Sequence, residues 1–217
     1  MFDVEIIVRN LPLFASGLWL TCLIAASGIL GALLGGAVVA YCTMSRLRAL
    51  RGLGISFVEL MRNTPILVQM FVYYFGLPSI GLRPSGVESA VAALILQNSA
   101  YIGEIYRAAI QSIHARQSEA ALALGMMRIT AFFRIVLPQA LRRSLPLLGN
   151  QFVFMLKDTS IASTIAVAEL THSSKLLLDQ TAAPYEIFAA VAAIYLAMSS
   201  VVLALVRLAE MRLPIRA

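Results

Sequence analysis

Three long stretches of this chain contain no charged residue, and they constrain its fold more than any other feature. They cover residues 10–45, 63–82 and 187–206. A helix that crosses a bilayer needs about 20 apolar residues in a row, so each stretch is long enough to cross. Charged residues make up 13% of the chain, whereas soluble domains have about 25%. We therefore predict an all-α polytopic membrane protein rather than a soluble domain.

The apolar segments predict five transmembrane helices in a single domain that covers residues 1–217. The helices are expected at about 13–41, 57–75, 89–110, 141–156 and 185–208. The fourth is interrupted by Arg142, Arg143 and Pro146, and such helices persist where protein or a watery cavity satisfies their polar groups. Residues 158–184 are predicted to form a re-entrant or interfacial helix on the outer side.

Four closely spaced glycines in the second half of the first apolar stretch permit two interpretations. Gly28, Gly31, Gly35 and Gly36 place small residues four apart, a spacing that favours close helix contact in lipid. Membrane helices also tolerate glycine without any such contact. Cys22 and Cys42, about 30 Å apart on one helix, are expected to be packing residues.

The basic residues predict the orientation in the membrane. Thirteen of the 17 fall into three clusters: Arg46, Arg48, Arg51 and Arg62; Arg107, Arg116, Arg128, Arg134, Arg142 and Arg143; and Arg207, Arg212 and Arg216. This alternation follows the positive-inside rule. It places the N-terminus outside and the C-terminus in the cytoplasm, and it excludes nucleic acid as the partner. The first apolar run, which follows Asp3 and Glu5, is expected to be retained as a membrane anchor.

Motifs for catalysis or for metal binding are absent from the sequence. The chain has no phosphate-binding loop that ends in Gly-Lys-Ser/Thr, so it is not expected to hydrolyse ATP by that mechanism. His114 and His172 stand alone, with no Cys/His grouping for a metal. We predict no catalytic residue, no metal site and no cofactor bound by this chain.

One loop carries the most specific pattern in the chain. Glu119, Ala120 and Ala121 are followed by Gly125 and then by Ile135, Val136, Leu137 and Pro138. This spacing predicts a short helix, a turn in which glycine adopts a left-handed conformation, and a helix restart marked by proline. Glu119 is either an ordinary acid in the first turn of a helix or a charged contact to a partner. The alanines keep the helix thin enough to enter a cleft.

Four further motifs accompany the loop, at 59–69 (ELMRNTPILVQ), 100–107 (AYIGEIYR), 137–140 (LPQA) and 157–163 (KDTSIAS). Together with the loop they resemble permease subunits of polar-amino-acid ATP-binding-cassette (ABC) importers of the histidine/glutamine/arginine type. The resemblance covers about residues 15–210. It departs at Arg116, where members of the family usually have glycine before the glutamine of the loop.

The resemblance implies a type I ABC importer fold in the bacterial inner membrane, with a cytoplasmic coupling helix in the loop at about 114–134. It also implies two ATPase subunits that bind ATP and Mg, a second copy of the permease or a sister permease, and an extracytoplasmic solute-binding protein, with membrane lipid around the helices. The substrate would be a polar amino acid. The alternative is an ion-coupled carrier or channel without an ATPase, which predicts inverted repeats that the sequence does not show.

Polar residues inside the predicted spans are the candidates for a substrate path, because each must be satisfied within the protein. They are Gln69, Asn98, Asn150, Gln151, Lys157 and Asp158. Lys157 and Asp158 either bind the carboxylate and ammonium groups of an amino acid, or extend to the interface and cap the next helix. Glu104 and Arg107 are expected to form an ion pair within one helix.

Overall fold

The structure is a computed structural model that describes residues 4–212. Asp3 and Arg216, which the sequence analysis names, lie outside the described residues. Every regular element in the described part of the chain is helical. The α-helices are α1 (Val4–Arg9), α2 (Leu11–Thr43), α3 (Arg48–Asn63), α4 (Ile66–Phe71), α5 (Gly86–Gln111), α6 (Ala115–Ala123), α7 (Arg128–Ala131), α8 (Leu137–Asp158), α9 (Leu170–Thr181) and α10 (Pro184–Arg212).

Two of these helices meet the criteria for a membrane span by length and hydropathy alone. They are α2, with 33 residues, and α10, with 29 residues. Both extend the predicted first and fifth spans at each end. The segment Ile66–Ile80 is apolar but shorter, while α5 and α8, with 26 and 22 residues, are long enough to cross but carry more polar side chains.

Close packing of α2 against α5 forms the centre of the fold. A Cβ atom added to Gly36 would lie 2.6 Å from Cγ2 of Ile102, and one added to Gly28 would lie 3.2 Å from Cβ of Leu94. The spacing of these pairs shows that the two helices run parallel, so both end at the same side of the molecule. Of the two interpretations of the glycines, close helix contact is confirmed.

The second predicted span is wrong in its boundaries, because the chain breaks in the middle of it. Helix α3 ends at Asn63, and Thr64 is extended, with ψ of 132°. The ring of Pro65 disfavours a helical conformation for the residue before it. Helix α4 then begins at Ile66 and continues into a π-helical turn and a 3-10 turn that ends at Ile80. The apolar segment after the break is Ile66–Ile80, and α3 precedes it as a separate amphipathic helix.

The fourth predicted span forms one unbroken helix, α8, although Pro146 lies inside it. Its neighbours support it closely: a Cβ atom added to Gly149 would lie 2.7 Å from Cγ1 of Val206 in α10. Buried Met155 contributes to the central apolar core together with Ile24 and Leu94. The interrupted helix therefore persists, as expected for a segment that protein supports.

The segment after α8 is helical, as expected, but it contains two elements. A 3-10 helix covers Thr159–Ile165, and α9 follows after Ala166, which has a positive φ of 57°. Helix α9 packs on the beginning of α2, where a Cβ atom added to Gly17 would lie 2.9 Å from Cα of Leu170. This places α9 at the end of the molecule opposite to α6.

Candidate coupling surface and polar interior

Helix α6 begins directly after the end of α5 and is capped by an unusual residue. His114 has an extended conformation, and its Nδ1 accepts a hydrogen bond of 3.2 Å from the backbone N–H of Arg116. The helix therefore starts at Ala115, four residues before Glu119. The interpretation of Glu119 as a first-turn acid is wrong for this reason.

Gly125 ends α6 in the predicted left-handed conformation. Its φ is +80°, and its N–H donates to the carbonyl of Leu122 at 2.9 Å. The N–H of Met126 donates to the carbonyl of Ala121 at 3.1 Å. These two bonds define a Schellman motif, which satisfies carbonyl groups that the helix end would otherwise leave without donors. The predicted conformation of Gly125 is confirmed, and its role in coupling stays a prediction.

The turn after α6 exposes large apolar side chains. Leu124 is 84% exposed, Met127 71% and Ile129 66%. We call α6 together with these three side chains the coupling surface. Sequence reasoning missed these three residues because it concentrated on Glu119 and the alanines. A usable signal was that these apolar residues lie within four positions of the glycine that ends α6, where the short loop offers little surface to bury them.

Glu119 and the neighbouring alanines all lie on α6, but they do not share one face of it. Glu119 and Ala120 are exposed, whereas Ala121 is 4% exposed and faces the body of the protein. None of the described residues forms a hydrogen bond or an ion pair with Glu119. Its carboxylate is therefore free to contact a separate molecule.

The loop returns to the membrane through a π-helical turn instead of the predicted helix restart. Helix α7 leads into the turn at Phe132–Val136, and α8 follows without a break. Ile135, Leu137 and Pro138 are all half-buried at this junction. Pro138 has no N–H to donate, and a widened turn accommodates the missing hydrogen bond.

An arginine connects both ends of this loop. Nη1 of Arg143, in α8, donates to the backbone carbonyl of Ser112 at 2.7 Å and lies 3.2 Å from its hydroxyl oxygen. Ser112 in turn caps the end of α5, where its N–H donates to the carbonyl of Ala108 at 2.9 Å. The coupling surface is therefore held between two long helices.

Two of the predicted path residues meet in the interior. Nε2 of Gln151 donates to Oδ1 of Asn98 at 2.6 Å, which joins α8 to α5. Nδ2 of Asn98 donates to the carbonyl of Leu94 at 2.8 Å, within α5. Asn98 is 2% exposed, so its amide is satisfied by protein, as membrane proteins require.

Gln69 belongs to a second polar group, at the break between α3 and α4. Its Nε2 donates to Oγ1 of Thr64 at 2.9 Å and to the carbonyl of Met61 at 3.1 Å. Nε2 of Gln97 donates to the carbonyl of Thr64 at 3.3 Å. These bonds satisfy the carbonyl groups that the break frees. Sequence reasoning missed Gln97, although a glutamine beside Asn98 in an apolar helix was a usable signal.

Asn150 and Lys157 are not brought into either group. Both are exposed, and Nζ of Lys157 lies 5.9 Å from the centroid of the Phe154 ring. An ammonium group over an aromatic face is consistent with a side chain that extends along the surface. The six predicted path residues therefore do not form a single site.

Asp158 is the last residue of α8, and it does not cap the following helix. Its backbone is helical, with φ of −64° and ψ of −19°, and its side chain accepts no cap hydrogen bond. The capping interpretation is therefore wrong, because the chain continues from α8 into the 3-10 helix without the extended residue that a cap needs. The carboxylate is half-buried and has no hydrogen-bond or ion-pair partner among residues 4–212.

Two other acidic residues are fully paired. Glu104 accepts hydrogen bonds from Nε of Arg107 at 2.9 Å and from Nη2 at 2.5 Å, which confirms the predicted pair. Glu169 is 0% exposed and caps α9 by accepting from the N–H groups of Thr171 and His172 at 2.9 and 2.8 Å. The hydroxyl of Tyr195 donates to Glu169 at 3.1 Å. Glu169 therefore ties α9 to α10 and has no free capacity for a ligand.

The helix arrangement and the α6 loop together define a class, the transmembrane permease of a type I ABC importer. The structure is similar over nearly its whole length to a chain from the crystal structure of an amino acid ABC transporter with histidines. The TM-score is 0.91 at 35% identity, and the match covers 98% of this chain and 99% of that chain. A chain from an inward-facing structure of the MetNI methionine ABC transporter has a TM-score of 0.78 at 15% identity, which shows the fold alone.

Residues 7–214 match the model of the family described as binding-protein-dependent transport system inner membrane component, and this chain belongs to that family. The glutamine transport system permease protein GlnP of Escherichia coli is 37% identical over 216 residues, which cover 99% of each chain. The nopaline transport system permease protein NocM of Agrobacterium fabrum is 38% identical over 218 residues, which cover 96% of this chain and 90% of that protein. The predicted family and fold class are confirmed.

Proposed function

We propose that this inner-membrane permease imports a polar amino acid, and that ATPase subunits bound to the coupling surface drive the import. The observation that carries this proposal is the coupling surface itself. It presents Leu124, Met127 and Ile129 to solvent beside the unpaired carboxylate of Glu119. Exposed apolar side chains of this kind mark interaction sites. The names of the relatives, which transport glutamine and nopaline, support the substrate class.

The complete transporter would contain more than this chain. One five-span chain can hardly enclose a pathway, so a second copy or a sister permease would complete it. Two ATPase subunits would bind the two coupling surfaces, and ATP and Mg would be bound there rather than by this chain. A solute-binding protein would deliver the amino acid from outside, which agrees with membership of a family of binding-protein-dependent transport systems.

The loop geometry supports a direct transmission of motion. Nη1 of Arg143 in α8 donates to the carbonyl of Ser112 at the end of α5 at 2.7 Å. Since α6 follows this end of α5, a displacement of α6 would be carried to α5 and α8 together. ATP-driven closure of the ATPases would bring the two α6 helices towards each other. The attached spans would then change from an inward-facing to an outward-facing arrangement. Such a change is a rigid-body transition between two packed states of the assembly.

Asp158 is the residue that we propose for the ammonium group of the substrate. A carboxylate at the C-terminal end of α8 faces the negative end of the helix dipole, and it is half-buried without a described partner. Both features are unfavourable unless a cation is nearby. The Asn98–Gln151 pair lies about 10 Å closer to the centre of α8, by helix rise, and would offer hydrogen bonds further along the path.

Reconstitution tests the proposed function. The permease is incorporated into proteoliposomes with its ATPase and solute-binding protein, and uptake of labelled L-glutamine, L-arginine and L-histidine is followed. We expect uptake of at least one of them that requires ATP inside the vesicle and the binding protein outside. Uptake that is driven by an ion gradient and does not need the ATPase would instead support a secondary carrier.

Cysteine labelling tests the orientation. Single cysteines at Arg48 and Arg116 should react with a membrane-impermeant maleimide only from the cytoplasmic side. Those at Arg83 and Lys175 should react only from outside. The native Cys22 and Cys42 are replaced first. Labelling of position 116 from outside would contradict both the orientation and the docking of ATPases on α6.

A further inference from the structure

A cavity of about 370 Å³ lies at the same end of the molecule as α6 and is separate from the path residues. It opens between the C-terminal parts of α2 and α5 and the second half of α3. Its charged lining consists of Glu59 and Arg62 from α3 and Glu104 and Arg107 from α5. Its volume is at the small end of the range for ligand pockets.

The four charged groups are not equivalent. Glu104 and Arg107 satisfy each other through two hydrogen bonds of 2.9 and 2.5 Å. Neither Glu59 nor Arg62 forms an ion pair or a hydrogen bond with any described residue, although the two lie three residues apart on one helix, within reach of each other. The cavity therefore contains an anion and a cation side by side that are both exposed and have no hydrogen-bond partner among the described residues. The positive charge of Arg62 also acts on the nearby Glu104.

An aromatic ring contacts the guanidinium group of Arg62. Cζ of Arg62 lies 5.1 Å from the centroid of the Tyr101 ring in α5, a distance at which a guanidinium group is attracted to the ring face. The N–H groups of Arg62 donate no hydrogen bond to a described residue, so they remain available to a ligand. Guanidinium N–H groups bind carboxylates with two parallel hydrogen bonds. Ile55 and Val58 add an apolar wall to the cavity.

We propose that this cavity binds the zwitterionic head of a free α-amino acid, with Arg62 on its carboxylate and Glu59 on its ammonium group. An α-amino acid carries opposite charges on adjacent atoms, which matches an unpaired guanidinium and carboxylate that are near neighbours. A simple anion would leave the carboxylate of Glu59 without a donor, and a simple cation would leave the N–H groups of Arg62 without an acceptor. The site rests on the proposed function for the identity of the ligand, which would be the imported amino acid on the side where it is released.

Equilibrium binding with analogues tests this site in the complete transporter. The permease–ATPase complex is placed in lipid nanodiscs without the binding protein, and binding of labelled L-glutamine and L-arginine is measured in competition with two analogues of each. The methyl ester lacks the carboxylate charge, and the deamino analogue lacks the ammonium group. The measurements are made in wild type and in an Asp158→Asn background, which removes the proposed path contact.

Each substitution should affect one end of the ligand only. Arg62→Gln should weaken binding of the amino acid by about tenfold or more and abolish discrimination against the methyl ester, while discrimination against the deamino analogue remains. Glu59→Gln should show the opposite pattern. Arg51→Gln, which changes an exposed arginine of α3 outside the cavity, should leave binding unchanged.

Other outcomes would overturn the proposal. Absence of binding in wild type would do so, as would unchanged analogue discrimination in both variants. Loss of the permease dimer in either variant, seen by size-exclusion chromatography, would show that Glu59 and Arg62 pair across the subunit interface instead. If Arg62→Gln does not assemble, Arg62→Lys should assemble and bind with reduced affinity. Uptake in the reconstituted system with no effect of these variants on binding would remove this site and leave the proposed function intact.

Discussion

Gly125→Val should reduce ATP-driven uptake at least tenfold while the permease stays in the membrane at normal abundance. Gly125 has a φ of +80°, and a β-branched residue in this region is strained by about 1–3 kcal/mol. The chain can relieve that strain only by giving up the hydrogen bonds that Gly125 and Met126 make to Leu122 and Ala121. The coupling surface would then lose its shape, but the core would not change, since a Cβ atom at Gly125 meets nothing within 4 Å.

Graded substitutions and a matched glycine make this test specific. Gly125→Asn should keep most of the uptake, because asparagine adopts the left-handed conformation more readily than other non-glycine residues, and Gly125→Ala should be intermediate. Gly81 has a φ of +88° and equally open surroundings, but it follows the apolar segment Ile66–Ile80, away from α6. Gly81→Val should therefore be strained in the same way and keep its uptake. Co-purification of the ATPase with each variant is measured in parallel. Normal uptake by Gly125→Val would contradict the role of this turn in coupling.

The sequence was sufficient for the features that depend on long-range composition and on local backbone preference. The charge-free runs predict the first and fifth spans, which correspond to α2 and α10 in the structure. The isolated Gly125 predicts the left-handed turn. Neither signal depends on knowing which residues pack together: a long apolar run needs lipid or a protein core in any fold, and a positive φ favours glycine in any context. The second span was misplaced because the helix-breaking effect of Pro65 was given less weight than hydropathy.

Features that depend on tertiary contacts could not be predicted in this way. The sequence predicts that the interrupted helix α8 persists where protein supports it, but only the structure shows that Val206 of α10 packs against it at Gly149. The link between Asn98 and Gln151 joins residues 53 positions apart, and a single sequence carries no signal for such pairing. The start of α6 depends on the imidazole of His114 as a cap, which is not a common capping group.

Asp158→Asn should also reduce uptake at least tenfold, and the structure makes the outcome easier to interpret than the sequence did. Asparagine and aspartate rank together as helix caps, so a capping role would have hidden any effect of the lost charge. The side chain of Asp158 accepts no cap hydrogen bond, and therefore only the negative charge distinguishes the two residues here. A neutral amide cannot balance a substrate ammonium group, and the loss of one charge-assisted contact accounts for a change of this size.

The controls separate a binding role from a role in the fold. Asp179→Asn removes an exposed carboxylate from α9 and should leave uptake unchanged. Asp158→Asn should keep normal membrane abundance and normal co-purification of the ATPase, since removing an unpaired charge from the end of α8 relieves an unfavourable interaction with the helix dipole. A raised apparent KM with an unchanged maximal rate would indicate loss of initial binding, whereas a lowered maximal rate would indicate loss of a contact made during passage. Uptake near the wild-type rate with unchanged affinity would show that Asp158 does not contact the substrate, because no capping role is left to explain that result.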